Sequence, residues 1–281
     1  MRRPFVRADA AGDMTAVVDT DSWAGLTEEV ALAAMLAPDN VAGVRDVFAT
    51  ISTDPVWTPV VLRQLDGGRL DLRLAIAWLA RQIEPDSYLE VGVRRGFSAA
   101  VLGAVRPDAT MFGFDMWMHD YAGAPNPGPA FVRSELERVG YRGNATFIDG
   151  DSHRTLPLFF GVERYPLLAR LRGQAVRAPA EDFDMILVDG DHSIEGAYRD
   201  LCDVIGHVRV GGALVFDDIA PDLTEFDDAG RLAIQQELGP DPHGRGGLLG
   251  VWHAVRDEHP EFRFFEFTRD APGVAFAIRM R

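Results

Sequence analysis

YLEVGVRRGFS, residues 88–98, is the stretch whose reading decides the fold. Leu89-Glu90-Val91-Gly92 reads as the end of a buried strand, and Gly96-Phe97-Ser98 as the opening of a helix. Gly92 lets the chain turn sharply, and Gly96 lets a ligand approach the backbone where helix N–H groups point outward. Gly-x-x-x-Gly alone is equally the chemistry of a plain turn. No G-x-G-x-x-G is present, so a dinucleotide pyrophosphate site loses its main support. The next apolar run ends in Asp115, a carboxylate able to accept hydrogen bonds from both hydroxyls of a ribose.

Outward from this stretch, apolar runs alternate with helical patterns, the mark of a parallel sheet with crossover helices. The pattern predicts strands at 87–92, 110–115, 145–149, 184–189 and 212–217, and helices at 97–105, 129–139, 154–160 and 194–208. FRFFEFT at 262–268 and GVAFAIR at 273–279 are joined by a turn too short for a parallel crossover, so this pair is expected to be antiparallel. The segment 249–255 reads as an amphipathic helix packed before that hairpin. Upstream, residues 1 to about 22 are aperiodic, and helical patterns follow at 26–37, 41–51 and 71–83. In the last, Leu72, Ile76, Leu79 and Ile83 share a face. This region reads as a helical layer on one side of the sheet, or as a lid or oligomer contact. The loops 116–129 and 219–246, the second with a short helix near 229–238, are longer than a compact unit needs. Both are expected beyond the carboxyl ends of the strands, where ligands bind. The arginine-containing stretch 164–177 reads as a solvated insertion.

Two further stretches carry chemistry: ILVDGDHS at 186–193 and LVFDDIA at 214–220. Each puts aspartates directly after an apolar run. Carboxylates crowded at the ends of neighbouring strands repel one another and are costly to desolvate unless something positive lies between them. A divalent metal held by oxygen ligands is the simplest such thing. The alternative is loop capping, for which aspartate is also suited. His192 serves as base, metal ligand or structural hydrogen-bonding residue. His153 shows no ligand spacing.

E-x-G-x-x-x-G-x-S at 90–98, with an acid ending the second strand, resembles the class I S-adenosylmethionine-dependent methyltransferases. The resemblance covers roughly 86–281. It implies a Rossmann-like α/β fold: a seven-stranded, mostly parallel sheet with an antiparallel last strand, preceded by an N-terminal helical extension over 1–85. It implies that Glu90 lies near the methionine part of S-adenosylmethionine with Gly92, Gly96 and Ser98 at the turn, that Asp115 meets the ribose, and that Asp151 and Ser152 meet the adenine. Trp117, with Met118 and Tyr121, then covers the adenine or substrate, or merely packs its loop. VDGDH followed by FDD is similar to the narrower group of metal-dependent sugar O-methyltransferases of macrolide and aminocoumarin pathways and the cephalosporin-hydroxylase-like proteins. That likeness implies Mg²⁺ on Asp189, Asp217 and Asp218, with Asp191, or His192 as its alternative, taking the proton.

The function expected is thus Mg²⁺-dependent O-methylation of a hydroxyl on a small natural product or sugar. The alternatives are an oxidising metalloenzyme of the same fold and a non-catalytic cofactor-binding module. The formal charge of −15 argues against a nucleic-acid partner. No run approaches the ~18 apolar residues of a membrane span, and no apolar leader follows Met1-Arg2-Arg3, so a cytoplasmic location is expected. The single cysteine, Cys202, excludes a disulfide framework within the chain and is expected to be a small core residue. A homodimer or higher homo-oligomer is expected only from the habit of the family.

Overall fold

Near-continuous apolar strands require cover on both faces, and the computed structural model supplies it. It describes residues 20–52, 54, 57–119, 126–161, 178–179, 182–220, 228–270 and 272–281. Seven strands, β1 (Ser87–Val91), β2 (Thr110–Asp115), β3 (Ala145–Asp149), β4 (Phe183–Val188), β5 (Val208–Asp217), β6 (Phe262–Phe267) and β7 (Val274–Arg279), form one sheet. Their order is β3-β2-β1-β4-β5-β7-β6. The first five are parallel, and β7 runs antiparallel to both β5 and β6. The expected Rossmann-like class I methyltransferase fold is thus present. Chain order reverses at β1, flanked by β2 and β4, and in open α/β sheets ligands bind at the carboxyl ends of the strands at such a point.

Side chains alternate between two cores. One face (Tyr88, Met111, Met185, Leu187, Val215, Phe276) packs on the helices α1 (Thr20–Gly25), α2 (Glu28–Met35), α3 (Pro38–Thr50), α4 (Trp57–Asp66), α5 (Leu72–Ile83), α6 (Phe97–Val105) and α7 (Pro129–Arg138). The other (Leu89, Val91, Phe114, Ile186, Val188, Leu214, Phe216) packs on α8 (Ser152–Phe160), α9 (Ile194–Val204) and α11 (Leu248–Glu258). A further helix, α10 (Asp228–Leu238), lies in the long segment after β5.

The N-terminal helices share the core of the sheet. The four expected face residues of α5 are all buried, and so is every other residue of that helix except Arg73 and Arg81. Trp78 meets Trp23 edge-on at 5.9 Å and Phe276 of β7 at 5.8 Å, so one indole joins α1 to the last strand. α4 was not among the helices expected from the sequence, although Thr58, Val61 and Leu65 recur at helical spacing on its buried face. β5 begins at Val208, earlier than expected, because the helix before it stops at Val204 and a single 3-10 turn, Ile205–His207, takes the chain into the strand. A register irregularity opposite Phe183/Met185 and Gly211 at φ 80 absorb the extra length. Cys202 is half-buried on α9 rather than in the core. Tyr121 and the stretch 164–177 lie outside the described residues. Among the described residues no helix is long and apolar enough to cross a membrane.

Candidate active site

The turn after β1 is built on two glycines in the left-handed region. Gly92 has φ +89, and a Cβ there would stand 1.8 Å from the carbonyl oxygen of Asp189. Only glycine allows this approach, and it brings the end of β1 against the end of β4, where the Asp189 N–H donates to Val91 O at 2.8 Å. Gly96, at φ +73, opens α6. The arginines between the glycines are gripped by neighbours. Arg94 stacks on Trp57 of α4, with 5.1 Å to the ring centroid, and Arg95 lies over Phe131 of α7 at 4.7 Å. Arg95 Nε also sits 3.2 Å from the fully buried Asp54 carboxylate.

Behind the turn, Glu90 is 1% exposed. It accepts hydrogen bonds from Ser98 Oγ and, at 3.0 Å, from the Tyr88 hydroxyl. Burial pushes its carboxyl up to about 8, against those two bonds. At the end of β2, Asp115 accepts from the backbone N–H of Arg94 at 2.6 Å and of Trp117 at 2.5 Å. The carboxylate is held by both neighbouring loops and keeps lone pairs for a ligand. Trp117, at φ 49, packs its ring edge-on against Phe147 at 5.9 Å. Asp151 caps α8 through the N–H of His153 at 3.0 Å, and Ser152 is the first residue of that helix. The residues expected around a nucleoside therefore rim the carboxyl ends of β1, β2 and β3.

The acidic stretches meet at the ends of β4 and β5. Asp189, His192 and Asp218 each direct one ligand-type atom into a space in which all three atoms lie within 4.8 Å of one another. His192 Nε2 is 3.4 Å from Asp189 Oδ1 and 3.6 Å from Asp218 Oδ2. Asp218 is a non-glycine residue at φ 58, a conformation that aspartate tolerates better than most. Asp217, placed with Asp189 and Asp218 by the sequence, is outside this group. It is buried, and its Oδ1 has no hydrogen-bond partner among the described residues. Burial and the charges of Asp218 and Asp189 push its carboxyl well above the usual range. Burial likewise raises Asp218 to about 6, against the neighbouring His192.

Asp191 faces elsewhere. Its carboxylate accepts from the Ser193 N–H at 2.8 Å and pairs with His153 Nε2 at 3.1 Å. Against burial, these contacts hold it down to about 2. The other nitrogen of His153 is 3.2 Å from Asp200, which is completely buried. The two carboxylates raise His153 to about 10.

Three participants escaped the sequence reading. Arg73 of α5 pairs with the buried Asp71 at 3.2 Å, and the charges of Asp217, Asp189 and Asp218 also act on it. Glu237 of α10 reaches within 3.4 Å of His192 Nδ1. His153 ties the loop after β3 to the one after β4. No local spacing signals any of these, because the contacts join segments far apart in the chain. Part of the positive charge that crowded carboxylates demand is thus supplied by Arg73. The set of two carboxylate oxygens and one imidazole nitrogen, beside a buried and unpaired Asp217 oxygen, still fits a divalent cation.

Residues 89–219 match the model of a family described as a methyltransferase domain. Among solved structures the chain is similar to the O-methyltransferase TomG of Streptomyces achromogenes, in complex with SAM. Identity there is 17% and the TM-score 0.50, over 82% of this chain and 92% of that one. It is also similar to the SAH-bound methyltransferase PaMTH1 of Podospora anserina, at 17% identity and a TM-score of 0.51, over 86% and 88%. At such identity the likeness speaks for the fold. No curated protein matches the sequence.

Proposed function

From a chain that is a methyltransferase of the class I fold, with its methyltransferase domain over residues 89–219, we propose an S-adenosylmethionine-dependent O-methyltransferase that uses a divalent cation, Mg²⁺ or Mn²⁺. Its acceptor is a hydroxyl of a small natural product or sugar. The observation that supports this reading is the contact between Gly92 and Asp189, which brings the turn after β1 beside the Asp189–His192–Asp218 group.

In this reading Glu90, Gly92, Gly96 and Ser98 receive the methionine end of the cofactor, Asp115 the ribose, and Asp151 and Ser152 the adenine, with Trp117 beside them. Asp189, Asp218 and His192 would hold the cation. A bound cation lowers the pKa of a hydroxyl that reaches it. With His192 as a ligand and both oxygens of Asp191 engaged by Ser193 and His153, the hydroxyl proton would leave to solvent as the cation lowers its pKa. Bound S-adenosylmethionine would supply the methyl group: the oxygen would attack its methyl carbon in line as the carbon–sulfur bond breaks, leaving S-adenosylhomocysteine. Holding acceptor and donor together supplies up to ~7–11 kcal/mol of such an acceleration.

A thermal-shift matrix of S-adenosylhomocysteine against Mg²⁺, Mn²⁺ and chelator tests the assignment, since a ligand bound to the native state raises apparent stability. Each ligand should raise the melting temperature of the wild type. Asp218→Asn should lose the metal response and keep the cofactor response. An undiminished metal response in that variant would remove the assignment of the cation site, and no response to S-adenosylhomocysteine would remove the cofactor assignment.

A further inference from the structure

We propose that Glu237, carried by α10 in the long segment after β5, is a positioning residue that orients the imidazole of His192 toward the cation. The inference rests on the cation site proposed above and deepens it. His192 lies between acids on both sides. Its Nε2 faces Asp189 Oδ1 at 3.4 Å and Asp218 Oδ2 at 3.6 Å, while its Nδ1 faces Glu237 Oε1 at 3.4 Å. An imidazole has two nitrogens, and the partner of one decides what the other can do. With Nδ1–H donating to Glu237, the Nε2 lone pair is presented to the space between Asp189 and Asp218. A carboxylate behind a ligating histidine fixes its tautomer and ring plane and strengthens it as a donor.

The seat of α10 supports the role. Leu238, the next residue, packs against the core cluster of β4, β5 and α9. The following Gly239 comes to 4.0 Å, measured from its notional Cβ, from the side chain of Ser193, the residue after His192. The carboxyl end of α10 is therefore fixed over the DGDHS turn, and Glu237 reaches His192 from that fixed point. The segment after β5, where the sequence placed a short helix near 229–238, thereby contributes to the cation site.

Mn²⁺ affinity of the full chain, measured by titration calorimetry on wild type, Glu237→Ala and Glu237→Gln, tests this without any methyl acceptor. Glu237→Ala should weaken Mn²⁺ binding by about 10-fold to 100-fold, the range typical of lost outer-shell partners. Affinity for S-adenosylhomocysteine should stay unchanged, which also reports that the variant is folded. Glu237→Gln keeps an oxygen acceptor for Nδ1–H and should recover most of the loss. If Gln is as poor as Ala, the effect is one of charge alone and the positioning role is overturned. Glu237→Ala binding Mn²⁺ as wild type does would overturn it too. Wild type that binds no Mn²⁺ would overturn the cation reading and this inference together.

Discussion

Glu90→Gln is expected to stabilise the ligand-free protein by an amount that grows as the pH rises. Glu90 is 1% exposed, and burial raises its carboxyl from 4.5 to about 8, although Ser98 and Tyr88 both donate to it. Because the folded value lies above the unfolded one, wild type has its full stability below the unfolded pKa. It loses stability as the pH rises through the window from 4.5 to about 8 and levels off beyond it. At about 1.36 kcal/mol for each pH unit, the whole window amounts to about 5 kcal/mol as an upper figure. Gln has the shape of the protonated acid and does not ionise, so the gap between variant and wild type should widen by ~1.4 kcal/mol per pH unit across it. Urea unfolding of both proteins at a series of pH values reads this gap directly. Parallel stability curves would refute the reasoning, because they would mean that Glu90 carries the same charge folded and unfolded. One functional consequence follows from the cofactor placement. A cationic methionine end beside Glu90 favours its ionised form, so S-adenosylmethionine should release a proton on binding near neutral pH. Calorimetry in two buffers of different ionisation enthalpy detects that proton.

Gly92→Ala should abolish cofactor binding and reduce folded yield, since its Cβ would stand 1.8 Å from a backbone oxygen that cannot withdraw; wild-type binding in this variant would mean that the turn does not touch β4. His153→Ala leaves the completely buried Asp200 without its cation and should cost about 3–5 kcal/mol in chemical unfolding. Replacing both residues with leucine should recover much of that loss, and equal losses in the single and double variants would contradict the pairing. Arg73→Met should destabilise the chelator-treated protein by a similar ~3–5 kcal/mol, because Asp71 and Asp217 then share no guanidinium. Mn²⁺ should restore more stability to this variant than it adds to wild type; equal increments would show that arginine and cation do not share one field.

The sheet was legible because each parallel strand is a short apolar run, and the acids at the ends of β2, β4 and β5 mark where those runs stop. The hairpin order was legible from a connection too short to cross over. α4 was not among the expected helices, although its buried Thr58, Val61 and Leu65 recur at helical spacing; its Trp57 stacks on Arg94 in the turn after β1. The acidic residues of the site were legible as types but not as a set. The resemblance offered Asp189, Asp217 and Asp218 as equals, whereas the left-handed backbone at Asp218 leaves Asp217 outside the group that His192 completes. Nor does spacing reveal that Asp191 is engaged by His153, or that Arg73 and Glu237 enter from helices distant in the chain. Those contacts exist only once the layers are packed.

Anomalous scattering from crystals soaked in Mn²⁺ with S-adenosylhomocysteine tests the metal-assisted transfer account most directly. The account predicts one strong peak within coordination distance of Asp189 and Asp218, facing the thioether sulfur of the bound cofactor product. Cofactor density with no manganese peak at these two carboxylates, or a peak held elsewhere on the surface, would contradict it.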